Sequence, residues 1–268
     1  MLVGGAVAII LVAAGIGWYL IYGGGDPAEK LAEVADEKQA AMGVLTFRDS
    51  SSEDDKLQGN GTAWAIAPRV FVTNAALVWS ASEMMNMSVD IFIVVKGENG
   101  AEQLRVTGSR QHPRDLSSIM SGRDSLPIAA PFDIGLLLVE RDAPAWFEIA
   151  GESDLLAMEA DMPIGFMAHT RTVSLTDPRP RSGSGKIVAL TNYWGEASDA
   201  SERYVIEYDL PVIPEMSGGP IFNVDGEVVG LLTIPMISNP DPSPNESPKY
   251  YGQRIDLLKE VWSDYPRD

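Results

Sequence analysis

The sequence of 268 residues predicts an all-β body. Many short apolar runs are separated by turn residues, and the chain has 25 glycines and 18 prolines but few long runs of helical periodicity. The most informative run is residues 213–232, where a serine precedes two glycines and a proline, and an Asp-Gly turn signal then joins two apolar segments. We therefore expect Ser217 on a tight loop that leads into a β-hairpin.

Composition excludes several classes of function. The chain has no cysteine, which excludes disulfides, thiol catalysis and cysteine-based zinc sites. Its net charge of −18 argues against nucleic acid as a main partner. The sequence has no nucleotide loop, dinucleotide fingerprint or metal-ligating cluster, so we expect no metal and no other cofactor. His112 and His169 are the only two histidines, so a histidine-based mechanism has two candidates.

Residues 2–22 are an uncharged apolar segment about as long as a membrane-spanning helix, with interfacial aromatic residues at its end. A cleaved signal peptide would have a basic start and a small-residue cleavage site, and this segment has neither. We predict a single transmembrane anchor over residues 1–24. The basic residues that follow it weakly favour a body on the cytoplasmic side.

The elements after the anchor follow from changes in periodicity. Residues 25–42 are predicted to form a linker helix, with Asp26 as N-cap, Pro27 in the first turn and Glu29 three residues beyond the cap. A short amphipathic C-terminal helix is predicted over RIDLLKEVW. The strands that periodicity predicts between the helices lie in 43–47, 89–97, 104–109, 163–166, 183–190, 204–211 and the hairpin of 213–232.

Residues 215–220, EMSGGP, with the hairpin that follows, resemble the serine loop of trypsin-like (chymotrypsin-fold) serine peptidases, especially their cysteine-free bacterial branch. Upstream, Gly61-Thr62, Ala65-Ile66 and the Val-Thr-Asn-Ala of residues 72–75 match the strands before that family's catalytic histidine. Residues 131–137, PFDIGLL, match the strand of its catalytic aspartate. The resemblance covers residues 43 to about 262.

This resemblance implies a fold of two six-stranded Greek-key β-barrels, with the site in the cleft between them. The first barrel is expected over residues 43–145 and the second, with the C-terminal helix, over residues 146–268. Membrane-anchored bacterial members of the family lie outside the cytoplasm, and this implies a single-pass membrane protein with an extracytoplasmic body.

The resemblance assigns Ser217 as the nucleophile and Asp133 as the orienting aspartate, but it places Ala76 where the family has its histidine. Alanine has no titratable atom, and loss of the histidine in another serine protease lowers turnover about 10⁶-fold. We expect neither His112, which matches a non-catalytic His-Pro pair of the family, nor His169 to reach Ser217. Asp133 is then either hydrogen-bonded within the barrel or a solvated acid at a strand end.

Two further positions depart from the family pattern or bear on specificity. The family's oxyanion hole uses the N–H groups of the serine and of a glycine two residues earlier, which here is Glu215. A carboxylate there would oppose the developing negative charge. Six residues before Ser217, at the base of the family's specificity pocket, stands Pro211, which favours small or apolar groups.

Together these residues predict a membrane-anchored serine peptidase homologue, inactive as written, that binds a protein or peptide in the inter-barrel cleft as a binding or scaffolding module. An alternative is an active serine endopeptidase whose catalytic histidine was changed to Ala76. A third possibility is a structural membrane-associated protein whose cleft binds nothing.

Overall fold

Two closed antiparallel β-barrels form the body in the computed structural model, which describes residues 25–48, 57–120, 125–170, 172–233 and 249–265. The first barrel has the neighbour order β1-β2-β3-β6-β5-β4, and β1 also pairs with β4 to close it. Its strands are β1 (Met42–Arg48), β2 (Leu57–Ala67), β3 (Val70–Thr73), β4 (Ile91–Gly97), β5 (Gly100–Gln111) and β6 (Gly135–Val139).

The second barrel has the neighbour order β10-β11-β12-β9-β8-β7, and pairing of β10 with β7 closes it. Its strands are β7 (Pro163–Ala168), β8 (Arg181–Thr191), β9 (Val205–Tyr208), β10 (Pro220–Phe222), β11 (Val228–Thr233) and β12 (Tyr250–Arg254). Strands β10 and β11 pair antiparallel, so the hairpin expected after Ser217 is present. The prediction of an all-β body with two six-stranded barrels is confirmed.

The linker segment forms helix α1 (Pro27–Glu37), and it packs against β7 and β8 of the second barrel. The side chain of Asp26 caps this helix by accepting the N–H of Ala28 at 3.0 Å, so the predicted N-cap is confirmed. Leu31 is buried beneath the helix. The C-terminal segment forms a short 3₁₀ helix, Ile255–Glu260, rather than an α-helix.

A helix that the sequence analysis missed begins directly after β3. We expected the strand to continue through the Thr-Asn-Ala motif, but it ends at Thr73 and helix α2 (Ala75–Asn86) follows. Asn74 explains the change, because its side-chain oxygen accepts the N–H of Leu77 at 3.0 Å and caps the first turn. Helix α2 therefore starts beside the serine loop, and Ala76 lies in its first turn.

The predicted membrane anchor, residues 2–22, lies outside the described residues. Within the ranges that the structure describes, no helix has the length and apolar character required to cross a bilayer. The anchor therefore stays a prediction.

An apolar interface joins the two barrels. Trp64 and Val72 of the first barrel belong to the same buried cluster as Phe222 and the rest of the second barrel's core. The connection between the barrels packs into this interface, with the Phe147 ring edge-on to Trp64 at 5.7 Å. A short helix α3 (Glu152–Ala157) follows. The interface fixes the two walls of the inter-barrel cleft relative to each other.

Candidate active site

Two glycines let the serine loop pack closely against the first barrel, at Gly218, and against β7 of the second, at Gly219. A Cβ on Gly218, whose φ is +89°, would lie 2.8 Å from the Thr73 side-chain oxygen, and one on Gly219 would lie 2.3 Å from the Met167 carbonyl oxygen. A side chain at either position would force the backbones apart. The loop thus needs glycine at both positions in order to bring Ser217 to the cleft.

The Ser217 hydroxyl is engaged by two groups, neither of which is a base. It donates a hydrogen bond to the carbonyl oxygen of Leu232 (3.3 Å) and accepts one from the Asn74 side-chain amide (2.9 Å). A carbonyl oxygen does not take up a proton at neutral pH. In this arrangement Ser217 remains an alcohol.

Ala76 lies where the resemblance places the general base. It is exposed in the first turn of α2 and lines the same cleft as Ser217. Residues 76 and 217 thus line one cleft, and residue 76 offers a methyl group and not an imidazole. Among the described residues, no imidazole is hydrogen-bonded to Ser217.

Asp133 is buried and hydrogen-bonded, which excludes the alternative of a solvated strand-end acid. One carboxylate oxygen accepts the N–H of Ala75 at 2.9 Å, and the other accepts the Thr233 hydroxyl at 2.5 Å. Burial raises the pKa of Asp133 to about 6, against the hydrogen bonds of Thr233 and of the Ala75 and Ala76 backbone, which lower it. The carboxylate thus stands beside residue 76, in the place from which it would orient a base.

The residue before Asp133 adopts an unusual backbone conformation. Phe132 has a φ of +54°, which is sterically costly for a bulky side chain. Its ring is held by stacking on His112 at 4.8 Å, by the Arg114 guanidinium at 4.4 Å and by the edge of Tyr193 at 5.4 Å. This packing stabilises the strained backbone and thereby fixes where Asp133 lies.

His112 follows β5, and it does not line the cleft beside Ser217. It is buried against Phe132, and its Nδ1 accepts the N–H of Arg114 at 3.1 Å. Burial is the main cause that lowers its pKa, opposed chiefly by the carboxylate of Glu260. The neighbouring Arg114 joins this loop to the C-terminal 3₁₀ helix, because its Nε donates to Glu260 at 3.0 Å.

His169 lies nearer the site than the sequence suggested, because it lines the same cleft as Ser217. Its backbone N–H donates to the Thr62 hydroxyl at 2.8 Å, which ties the end of β7 to the first barrel. The side chain is buried. Burial lowers the pKa of His169 to about 4, against the opposing effect of the Arg179 backbone, so the ring is neutral at pH 7.

The backbone around Glu215 forms a 3₁₀ turn, Pro214–Met216. In this turn the N–H of Ser217 donates to the carbonyl oxygen of Pro214 at 3.2 Å. Glu215 is exposed and its φ is not positive, so the loop avoids the left-handed conformation that a glycine would permit. The Ser217 N–H is therefore bonded within its own loop. In an oxyanion hole, by contrast, this N–H would have to face the substrate.

Pro211 lies apart from these groups. It is exposed, and it does not line the cleft beside Ser217. Its ring packs near Gly183 of β8, since a Cβ there would approach the Pro211 Cγ to 3.3 Å. Residues 234–248, which follow β11, lie outside the described residues, and the role of Pro211 in a specificity pocket stays a prediction.

The cleft beside Ser217 has a volume of about 170 Å³. Residues from both barrels line it, including Asn74, Ala76, Leu77, His169, Glu215 and Ser217. Three groups that bond to the serine were not predicted from the sequence, namely the Asn74 amide and the carbonyl groups of Pro214 and Leu232. Asn74 was recognised only as part of a motif, and nothing in the sequence marks a backbone carbonyl as a partner.

Two six-stranded barrels, a serine loop at their cleft and a buried aspartate beside the first turn of α2 define the architecture of a trypsin-like serine peptidase. The sequence profile of the trypsin-like peptidase domain matches residues 61–231. The chain therefore belongs to the trypsin-like peptidase domain family.

Solved structures support the same fold. The crystal structure of Deg5 is similar, with a TM-score of 0.55 and 10% identity over 86% of this chain and 91% of that one. The Vibrio cholerae VesB protease is also similar, with a TM-score of 0.56 and 14% identity over 84% of this chain and 63% of that one. No curated protein sequence is significantly similar to this chain.

Proposed function

We propose that this chain is a catalytically silent member of the trypsin-like peptidase domain family whose inter-barrel cleft serves as a binding or scaffolding site for a protein or peptide. The observation that carries the proposal is the hydrogen bonding of Ser217. Its hydroxyl is bonded to Leu232 and Asn74, and its N–H is bonded to Pro214. Acyl transfer needs a base for the hydroxyl and free donors for the oxyanion, and this arrangement supplies neither.

A comparison of the chain with its Ser217→Ala variant tests the proposed catalytic inactivity. Both proteins are expected to hydrolyse casein and a nitrophenyl ester at the same background rate, because the hydroxyl is not activated. The proposal fails if the unmodified chain is faster than the variant in either assay.

One observation favours the alternative of an active endopeptidase whose histidine was changed. The hydrogen bonds of Asp133 to Ala75 and Thr233 surround the position of the missing base, and Ala76 faces the open cleft. The Ala76→His variant separates the two. The alternative requires it to hydrolyse casein, whereas we expect it to stay inert because Ser217 and Glu215 still lack oxyanion geometry.

The double variant Ala76→His, Glu215→Gly then tests the reason for that inertness. Glycine at position 215 allows the turn to open and both N–H groups to face the cleft. We expect measurable hydrolysis from the double variant only. Equal activity in the single variant would show that Glu215 is not a defect.

We also propose that residues 2–22 anchor the chain in a membrane, with the body on the extracytoplasmic side. The support is the uncharged apolar run in the sequence and the habit of anchored bacterial members of the family. The full chain is expected in the membrane fraction, where protease added from outside digests its body, and the chain that lacks residues 1–24 is expected to be released. Resistance of the body to external protease would reverse the orientation.

A further inference from the structure

Three of the chain's 11 methionines lie within four residues at the end of helix α2, at positions 84, 85 and 87. Met87 is 69% exposed, the largest value for any large apolar side chain among the described residues. By contrast, Met42 and Met167 are almost fully buried. A methionine thioether is open to oxidation where solvent reaches its sulfur, so Met87 is the described methionine that an oxidant meets first.

Helix α2 ends in a turn whose backbone is strained. The N–H of Val89 donates to the carbonyl oxygen of Met84 at 3.0 Å, and the N–H of Ser88 donates to that of Met85 at 3.0 Å. Helix ends of this type usually have glycine in the left-handed position, but here that position is Ser88, with a φ of +62°. The left-handed conformation is unfavourable for a residue with a Cβ, so other contacts must stabilise the turn.

The apolar contacts of Met84 and Val89 provide this stabilisation. Both side chains are half-buried, and both pack against the buried cluster of the first barrel. Apolar packing at these two positions often accompanies such a helix end. Met84 lines a narrow depression with Leu45, Phe47 and Ile91, in which the described residues leave no room for a water-sized group. An oxygen atom added to the Met84 Sδ would therefore displace the side chain from the barrel.

We propose that the end of helix α2 is a site of modification by peroxides, at which Met87 is oxidised first and Met84 second, and that the sulfoxide of Met84 releases the turn at residues 87–89 from the first barrel. In each step the thioether sulfur attacks one oxygen of hydrogen peroxide. The O–O bond breaks, an S=O bond forms and water leaves, so the sulfur is oxidised and the peroxide is reduced. The sulfoxide is polar, and its burial against the barrel without a hydrogen bond is unfavourable.

This modification does not depend on the catalytic inactivity proposed above. It acts on the helix that carries Ala76 into the cleft, because Ala76 lies in the first turn of α2 and Met84 in its last.

The order of oxidation is measured on the full chain in hydrogen peroxide at neutral pH, by tandem mass spectrometry of its peptides over time. The same chain unfolded in urea gives the intrinsic rate of each methionine. Met87 is expected to react at close to its unfolded rate, Met84 more slowly, and Met42 and Met167 last, because burial excludes the oxidant. The proposal fails if Met87 is protected, or if Met84 resists peroxide as well as Met42 does.

Hydrogen exchange at the amides of Ser88 and Val89 measures the release of the turn. Treatment with peroxide should make both amides exchange about fivefold faster, the effect of losing about one hydrogen bond. The amide of Leu232 in β11, which donates to the Gly219 carbonyl oxygen, should keep its rate, and this shows that the chain stays folded.

Two variants identify the residue responsible. Met84→Leu keeps an apolar side chain of similar size but has no sulfur, and Met162→Leu makes the same change at a half-buried methionine beside β7. Peroxide should accelerate exchange at residues 88 and 89 in Met162→Leu, as in the parent, but not in Met84→Leu. Acceleration that persists in Met84→Leu would overturn the role of Met84. Unchanged exchange in a parent chain whose Met84 is oxidised would show that the turn does not depend on this contact.

Discussion

The proposed function rests on the hydroxyl of Ser217, which is the nucleophile that the resemblance assigns. A serine becomes a nucleophile when a nearby base takes its proton, and here the hydroxyl donates to the Leu232 carbonyl oxygen at 3.3 Å. The Asn74 amide, at 2.9 Å, donates to the hydroxyl oxygen and so withdraws electron density from it. At the scale of single residues, both contacts favour an unreactive alcohol.

Asp133 gives a prediction about stability and pH. Burial raises its pKa from 3.8 to about 6, so the folded chain binds this proton more tightly than the unfolded chain. The stabilisation is therefore complete below the unfolded pKa and is lost as the pH rises through about 6. A shift of this size corresponds to about 3 kcal/mol in the free energy of unfolding.

Urea unfolding of the parent and of Asp133→Asn over this pH range measures the effect. The free energy of unfolding of the parent minus that of the variant should fall by about 3 kcal/mol between about pH 4 and about pH 7. The same difference for Asp154→Asn, an exposed site, should stay nearly constant. A flat difference for Asp133 would show that its proton affinity is ordinary.

Among the elements, the 3₁₀ turn Pro214–Met216 and helix α2 determine the chemistry of the cleft. The turn directs the Ser217 N–H onto the Pro214 carbonyl. Helix α2 begins one residue after Asn74, whose oxygen caps the helix and whose amide reaches Ser217. One side chain thus connects the start of a helix in the first barrel to the serine loop of the second.

Substitution of Asn74 separates these two roles. Asn74→Ala removes both the cap and the contact with Ser217, whereas Asn74→Ser removes the contact but retains a good capping residue. We expect Asn74→Ala to be less stable than Asn74→Ser by about 1 kcal/mol in chemical unfolding, because only alanine leaves the Leu77 N–H without its acceptor. Equal stability of the two variants would mean that the cap contributes nothing.

Local patterns in the sequence predicted some of these elements and missed others. The Asp26 cap and the Asp-Gly hairpin depend on neighbouring residues, and both were recognised. The resemblance implied a strand through residues 72–75, but β3 ends at Thr73 because Asn74 caps the helix that follows. The bond from Asn74 to Ser217 joins residues 143 positions apart, and no local pattern contains such a contact.

For the whole molecule, the two barrels share one buried apolar cluster and are also hydrogen-bonded to each other. The Trp64 indole N–H donates to the Gly218 carbonyl oxygen at 2.9 Å, across the interface and one residue from Ser217. The resemblance to a family predicted the two barrels and the order of Ala76, Asp133 and Ser217. It did not predict the 3₁₀ turn of the serine loop, in which the Ser217 N–H is bonded to the Pro214 carbonyl oxygen.

Trp64→Phe tests the coupling of the barrels. Loss of the hydrogen bond and of buried volume should lower the free energy of unfolding by about 3 kcal/mol. The same substitution at Trp79, which is 59% exposed, should change it by less than about 0.5 kcal/mol. Both variants should unfold in a single transition, with fluorescence and circular dichroism coinciding, because the cluster spans both barrels. The first barrel also has a buried cluster of its own, so two separate transitions would contradict coupling of the barrels through the cluster that they share.

The most direct test of the proposed catalytic inactivity is the reaction of Ser217 with a fluorophosphonate, followed by mass spectrometry of the intact chain. With no base and with its N–H bonded to Pro214, Ser217 should gain no more label than the background of the Ser217→Ala variant. Stoichiometric labelling of the chain that is lost in Ser217→Ala would show an activated serine and contradict the account.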